Sequence, residues 1–245
     1  MNDERYLGYQ SSELSRGPQL HSSAGHIMDN IGREIEAKFI VENLDEVRQR
    51  LLALGGQLII PCHLEINHRF DTHDSRLRTN DEVLRLRQGP QVTLTYKRST
   101  SAEERIEFEL EIDDFHAAQS LLEALGYHLI FTYEKYREVY TLDEAKVMLD
   151  ELPFSLFTEV EGPSLEAIKQ KVEILGLDWI KRVKYSYLDL FDILHQRLNL
   201  PFENADFDSF QEWPSIHPSD LGLDDAVQSF SDSKSERTEE ATLKE

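Results

Sequence analysis

The chain has 245 residues, of which 40% are hydrophobic, enough for one good-sized domain or two small ones. Its formal net charge of −21 argues against general binding to nucleic acid or anionic membrane, while leaving room for a local basic site. The single cysteine, Cys62, excludes an intrachain disulfide and fits a reducing cytosol.

Residues 1–30 are polar, rich in Ser, Gly and Asn, and lack periodicity, so they read as a disordered leader. They contain no apolar signal core. No run approaches the ~20 apolar residues of a membrane span, and the expected location is the cytoplasm.

The first strand signal is "REIEAKFIV", Arg33–Val41. Ile35, Ala37, Phe39 and Val41 fall on one face, and Glu34, Glu36 and Lys38 on the other. A short helix follows, with Asn43 as N-cap and Gly55 as stop. Further strands are expected at Gln57–Asp71, Val83–Gln88, Gln91–Arg98 and Arg105–Ile112. A second helix, with Asp113 as N-cap, stops at Gly126. Strands at Leu129–Leu142, Ala145–Asp150 and Phe154–Glu161 bring the total to eight. Two helices close the pattern, "PSLEAIKQKVEILG" and "YSYLDLFDILHQRL". From Pro201 the chain turns acidic, with 12 Asp and Glu against 3 Lys and Arg, and reads as a mostly disordered tail. Phe202, Phe207, Phe210 and Trp213 are candidates to dock on the domain. The folded unit is therefore expected over 31–200.

Inside it lies a weak repeat. "LLALGGQLII" resembles "LLEALGYHLI", which sets Glu36 opposite Glu107 and Lys38 opposite Glu109 and suggests a sheet of two pseudo-symmetric halves. Consecutive strands at hairpin spacing suggest an antiparallel barrel or sandwich.

At least six strands carry charges at i, i+2 with an apolar opposite face. Glu34, Glu36 and Lys38 share a face, as do Arg85 and Arg87. So do Arg105, Glu107, Glu109 and Glu111; Lys135 and Arg137; and Glu159 and Glu161. Lys97 alternates away from Leu94 and Tyr96. For one strand, an open sheet with its charged face in water would suffice. Six strands, with acids and bases segregated, favour the inverse of an ordinary small barrel: apolar faces outward against helices, charged faces around a channel. In such a channel Arg and Lys can hold several phosphates. Paired carboxylates can hold Mg²⁺ or Mn²⁺, hard ions that prefer oxygen.

Other candidates read as ordinary. His63, His68, His73 and His128 have no metal-ligand spacing. Cys62, beside Pro61, has no activating pattern. Tyr133, Tyr136, Tyr140, Tyr185 and Tyr187 read as packing residues. No G-x-x-x-x-G-K-[ST] loop is present, so a P-loop mechanism is unsupported.

Taken in order, "EIEAK", "LRLRQ", "VTLTYKR", "RIEFE", "EKYRE", "FTEVEG" and "YSYLDLF" resemble the motif series of the CYTH superfamily, the triphosphate tunnel metalloenzymes, over nearly all of residues 31–198. The resemblance implies an α+β fold: an eight-stranded antiparallel β-barrel, the triphosphate tunnel, with flanking helices. It implies metal ligands at Glu34, Glu36, Glu159 and Glu161, with Asp150 a helper. It implies a phosphate grip by Lys38, Arg85, Arg87, Lys97, Lys135 and Arg137, with Lys184 a further contact. Lys38, Lys97, Glu107 and Glu109 are its candidate catalytic groups, the two glutamates orienting bases or a second metal. Two positions depart from the pattern: Arg69 stands where the family commonly shows an aromatic residue, and Arg98 where relatives often have Gly or Pro.

The expected activity is metal-dependent hydrolysis of a triphosphate (inorganic, nucleoside or thiamine) with Mg²⁺ or Mn²⁺ as cofactor. The alternatives are a class IV-like adenylyl cyclase, converting ATP to cyclic AMP and pyrophosphate, and a non-catalytic polyphosphate- or nucleotide-binding module. The expected partner is a small-molecule triphosphate, with no nucleic acid and no membrane; the sequence leaves the oligomeric state open.

Overall fold

The structure, a computed structural model, describes residues 31–101 and 103–228. The expected leader, residues 1–30, lies outside them.

Eight strands form one antiparallel sheet closed into a ring: β1 (Ile31–Val41), β2 (Gln57–Asp71), β3 (Glu82–Gln88), β4 (Val92–Ser99), β5 (Glu104–Ile112), β6 (His128–Leu142), β7 (Ala145–Leu152) and β8 (Ser155–Glu161). Around the ring the order is β1-β5-β4-β3-β2-β6-β7-β8. Closure is made by β1, which changes partner along its length. Ile31–Ile35 pair with β5, and Glu36–Val41 pair with β8.

The sequence repeat has a structural counterpart. β1 and β2 are joined by helix α1 (Leu44–Ala53), and β5 and β6 by helix α3 (Phe115–Ala124); between them, after β2, comes the single turn α2 (Arg76–Thr79). β1 pairs with β5, and β2 with β6. Gly55 and Gly126 end the two longer helices at φ +87° and +91°, a left-handed backbone that a side chain resists. Asn43 caps α1 as expected, its side chain accepting from the Asp45 amide at 2.8 Å. For α3 the cap is Asp114, not Asp113, because the carboxylate of Asp114 accepts from the Ala117 amide at 3.0 Å.

Period-2 alternation assigns the two faces. Ile35, Ala37, Phe39 and Val41 face outward and pack with Val47 and Leu51 of α1 and with Ile168 and Val172 of α4 (Leu165–Ile174). Phe39 and Leu51 are fully buried, each worth roughly 1.5–3 kcal/mol over exposure. A second outer cluster joins Phe70, Leu84 and Leu86 to Phe115, Ala118 and Leu122 of α3.

A third cluster plugs one end of the ring. There the inward positions turn apolar, at Ile40, Phe131 and Phe157, and pack against Tyr187, Leu190, Phe191 and Leu194 of α5 (Tyr187–Leu198). The folded unit does not stop at Leu200. Residues 201–228 carry two further short helices, α6 (Phe207–Phe210) and α7 (Pro218–Leu221), and join the same cluster through Ala205, Phe210, Leu221 and Leu223. Of the residues expected as docking candidates, Phe210 is buried in the cluster and Phe202 and Trp213 pack against it; the ordered backbone around them is what the acidic composition hid. Backbone bonds fasten the segment to the ring: the Ala205 amide donates to the Thr132 carbonyl, and the Gln228 amide to the Ile40 carbonyl, both at 2.9 Å. No helix among the described residues is long and apolar enough to cross a membrane.

Candidate active site

The inner faces enclose a cavity of about 580 Å³. Its wall is charged on nearly every strand. β1 contributes Glu34, Glu36 and Lys38; β2 Glu65 and Arg69; β3 Arg85 and Arg87; β4 Lys97; β5 Arg105, Glu107 and Glu109; β6 Lys135 and Arg137; and β8 Glu159 and Glu161. Tyr133 and Tyr187 form the floor beside the apolar plug. Two pairs mark the mouth, Arg33 with Glu104 and Lys146 with Glu161; the side chains of Arg33 and Lys146 are 64% and 55% exposed.

Buried charge is tolerated only when paired, and three linked groups meet that demand. At the floor, Arg137 donates from Nε to Asp150 Oδ1 at 2.6 Å, and from Nη2 to Asp150 Oδ2 and Glu159 Oε2, both at 2.5 Å. Lys135 and the Tyr187 hydroxyl also donate to Asp150 Oδ2, at 3.0 and 2.9 Å. Lys38 lies 3.4 Å from Glu159 and 3.8 Å above the centre of the Tyr187 ring. Burial pushes the Glu159 carboxyl up, but Arg137, Lys38 and Lys135 outweigh it and hold Glu159 well below the usual carboxylate range. Burial, reinforced by Asp150 and Glu159, pushes the Tyr187 phenol well above its ordinary value, so it stays a neutral donor.

On the second wall, Arg87 reaches Glu65 at 3.3 Å and Glu109 at 3.4 Å, and Arg85 lies 3.7 Å from Glu109. The Thr95 hydroxyl donates to Glu109 at 2.8 Å. Burial raises Glu109, but Arg87 and Arg85 bring it below its ordinary value. On the third wall, Lys97 donates to Glu34 at 2.5 Å and lies 3.3 Å from Glu107. Burial would lower the Lys97 ammonium; Glu34, Glu107 and Glu36 reverse the sign and raise it. Arg105 donates to Glu36 at 2.7 Å.

Such a cavity, with lysines and arginines interleaved with carboxylates that neutralise them, suits a polyanion able to take the cations over. The CYTH domain family model matches residues 32–187, well over half of the chain and all eight strands. The chain belongs to the CYTH domain family. No curated protein sequence matches it significantly. Among solved structures, a proposed adenylate cyclase from Vibrio parahaemolyticus is similar at 22% identity and a TM-score of 0.60, over 65% of this chain and 97% of that one. The PH1819 protein of Pyrococcus horikoshii OT3 is similar at 26% identity and a TM-score of 0.56, over 64% and 97%. HpAC1 from Hippeastrum, a proposed adenylyl cyclase whose structure is described with a dominant triphosphatase activity, is similar at 20% identity and a TM-score of 0.50, over 65% and 95%.

The CYTH family implies a divalent metal, and the donors present fit one in kind. Glu36 and Glu161 are direct partners across β1 and β8, one step from Glu159 opposite Lys38. Glu34 Oε2 is buried without a hydrogen-bond partner. All four candidates offer carboxylate oxygen, which suits Mg²⁺ or Mn²⁺. Among the described residues, no three metal-binding side chains stand close enough to hold a cation. The reason lies in the ion pairs: Glu34, Glu36, Glu159 and Glu161 are each turned to a lysine or arginine.

The CYTH cavity places the expected residues as follows. Lys38, Arg85, Arg87, Lys97, Lys135 and Arg137 all line it, as do Glu34, Glu36, Glu107, Glu109, Glu159 and Glu161. Two do not. Asp150, directly opposite Arg137 on the inner face, is fully buried at the floor, and its oxygens accept from Lys135, Arg137 and Tyr187, so it positions those groups. Lys184 is exposed and lines a small adjoining cleft with Glu103, Arg182 and Tyr185, which shares Glu36, Lys38 and Arg105 with the cavity. Wall residues to which the sequence reading gave no site role include Glu65, Arg69, Arg105, Tyr133 and Tyr187. Arg105 was visible, since it shares the Glu107 and Glu109 face. Glu65 is flanked at i±2 by His63 and Asn67, so its strand shows no charge alternation there.

Proposed function

We propose that this protein is a metal-dependent triphosphatase, hydrolysing a triphosphate held inside the ring. The observation that carries the reading is the convergence of Lys38, Arg85, Arg87, Lys97, Lys135 and Arg137 on one plugged cavity. A triphosphate needs several positive contacts along one line, and three walls supply them. Arginine offers a two-pronged donor to phosphate oxygens, and lysine a compact charge. Each cation is preorganised by a carboxylate or hydroxyl behind or beside it, so little reorganisation is needed as charge develops on the transferring phosphoryl group. As phosphate oxygens draw Lys38, Lys97 and Arg105 to themselves, Glu34 and Glu36 lose the cations they pair with, and Glu159 keeps Arg137 on Oε2 but frees Oε1, so that all three can offer oxygen ligands. A bound Mg²⁺ or Mn²⁺ supplies charge neutralisation to the phosphate chain. Attack of water on the terminal phosphorus breaks the outer anhydride bond and gives orthophosphate and the shortened chain.

A second reading is favoured by the likeness to proposed adenylate cyclases. In it the same cations hold ATP, the ribose 3′-hydroxyl attacks the α-phosphorus, and pyrophosphate leaves. Orthophosphate release from tripolyphosphate, followed with and without Mg²⁺ or Mn²⁺, tests the first reading. Metal-dependent release supports it; tight binding without turnover leaves only a binding module.

A further inference from the structure

Every lysine and arginine of the cavity wall but one stands in an ion pair with a carboxylate. Among the described residues, the exception is Arg69. It makes no ion pair, and its Nε is buried without a hydrogen-bond partner. Its place is the closed end: in register it faces Arg85 on β3, and on β6 Phe131, a member of the apolar plug. The neighbouring groups do not neutralise it. Burial lowers the Arg69 guanidinium, and Tyr133, then Asp189, oppose this without reversing it; the Asp189 carboxylate accepts from the Ser186 amide and hydroxyl at 3.0 and 2.7 Å and closes the cap of α5. Arg85, also at this end, reaches its nearest carboxylate, Glu109, only at 3.7 Å, and its own Nε is unpartnered. The surplus positive charge is felt locally. Burial raises the Tyr133 phenol, but Arg85, Lys135 and Arg69 together bring it below its ordinary value.

A guanidinium held in a cavity without a counter-ion lowers stability unless a ligand supplies one. We propose that Arg69, with Arg85, receives the free terminal phosphate of the substrate at the blind end of the tunnel, so that the chain enters unsubstituted end first and any organic group stays at the mouth. The inference rests on the triphosphate reading above and deepens it. It makes the closed end a selector for an unesterified phosphate: the plug leaves no passage for a substituent, and Arg69 rewards the additional charge of a free terminus.

The test is calorimetry in the presence of a chelator, so that binding is read without turnover, on wild type, Arg69→Gln and Arg69→Met. The probes are tripolyphosphate and a triphosphate esterified at both ends. The expected result is a ~10- to 100-fold loss of tripolyphosphate affinity in both variants, the scale of one charge-assisted contact, with much less change for the doubly esterified chain. Melting of the ligand-free proteins is the second readout. Because Arg69 is unpaired, both variants should melt at or above the wild-type temperature. A lower melting temperature assigns Arg69 a structural role and overturns the proposal. Unchanged tripolyphosphate affinity, or equal losses for both probes, also overturns it while leaving the triphosphatase reading intact. A wild type that binds no tripolyphosphate at all overturns both.

Discussion

Arg137 and Asp150 face each other across β6 and β7, and the guanidinium donates to both oxygens of the carboxylate, at 2.6 and 2.5 Å. Asp150 is fully buried and also accepts from Lys135 and Tyr187. One carboxylate therefore anchors two phosphate-binding candidates and the floor phenol. Asp150→Ala leaves two cations without their anchor, and the expected loss of stability is about 3–5 kcal/mol, the range for breaking a buried ion pair. Urea denaturation measures it. If Asp150 were a metal ligand instead, the variant would lose metal binding with little change in the denaturation midpoint.

Glu36 has a different setting. Among the described residues its carboxylate pairs with Arg105, at 2.7 Å, and it lines the open cavity. Glu36→Gln retains a hydrogen-bond acceptor for Arg105, so folding should persist with a melting temperature within a few degrees of wild type. Metal-dependent activity should disappear. Full activity with metal in this variant would remove Glu36 from the ligand set.

Arg87 stands between Glu65 and Glu109 on the second wall. Arg87→Ala should weaken tripolyphosphate binding by ~10-fold or more, about the strength of a charge-assisted hydrogen bond. Orthophosphate, which can settle among the remaining cations, should lose much less. Calorimetric titration of both ligands checks this, and equal losses would count against a grip spread along several phosphates.

Glu65 predicts a pH dependence. Burial raises its carboxyl, but Lys135, Arg137, His63 and Arg87 reverse this and hold it well below the ordinary glutamate value of 4.5. A depressed folded value means that the ionised form stabilises the fold. That contribution is fully present above about pH 4.5 and is lost as pH falls toward the folded value. Wild type should therefore melt above Glu65→Gln at pH 7, and the gap should close as pH is lowered below 4.5. Melting curves of both proteins from pH 7 to 3 test this; a gap independent of pH would show that the Glu65 charge does not matter.

The charged wall was legible because strands alternate with period 2, so Glu34-x-Glu36-x-Lys38, Arg85-x-Arg87 and Glu159-x-Glu161 announce one face each. The eight strands were placed to within about two residues for the same reason. What alternation does not encode is depth. Asp150 looked like any acid near a strand end, yet it lies beside Arg137 at the buried floor rather than on the open part of the wall. Tyr133 and Tyr187 do pack in the core, but at the level where the plug meets the cavity, so they also form its floor. Arg69 stood out only as an arginine in an unusual place; that it lacks a counter-ion is a property of the closed ring. In the segment 201–228 the docking aromatics Phe202, Phe210 and Trp213 were legible, but its charge dominates its composition and hid the short helices that hold them.

The most direct test of the central claim is phosphorus NMR of the purified protein with ATP or tripolyphosphate and Mg²⁺ or Mn²⁺. The triphosphatase account predicts orthophosphate from both substrates, with a diphosphate as the co-product. Pyrophosphate together with cyclic AMP from ATP, and no orthophosphate from tripolyphosphate, would contradict it.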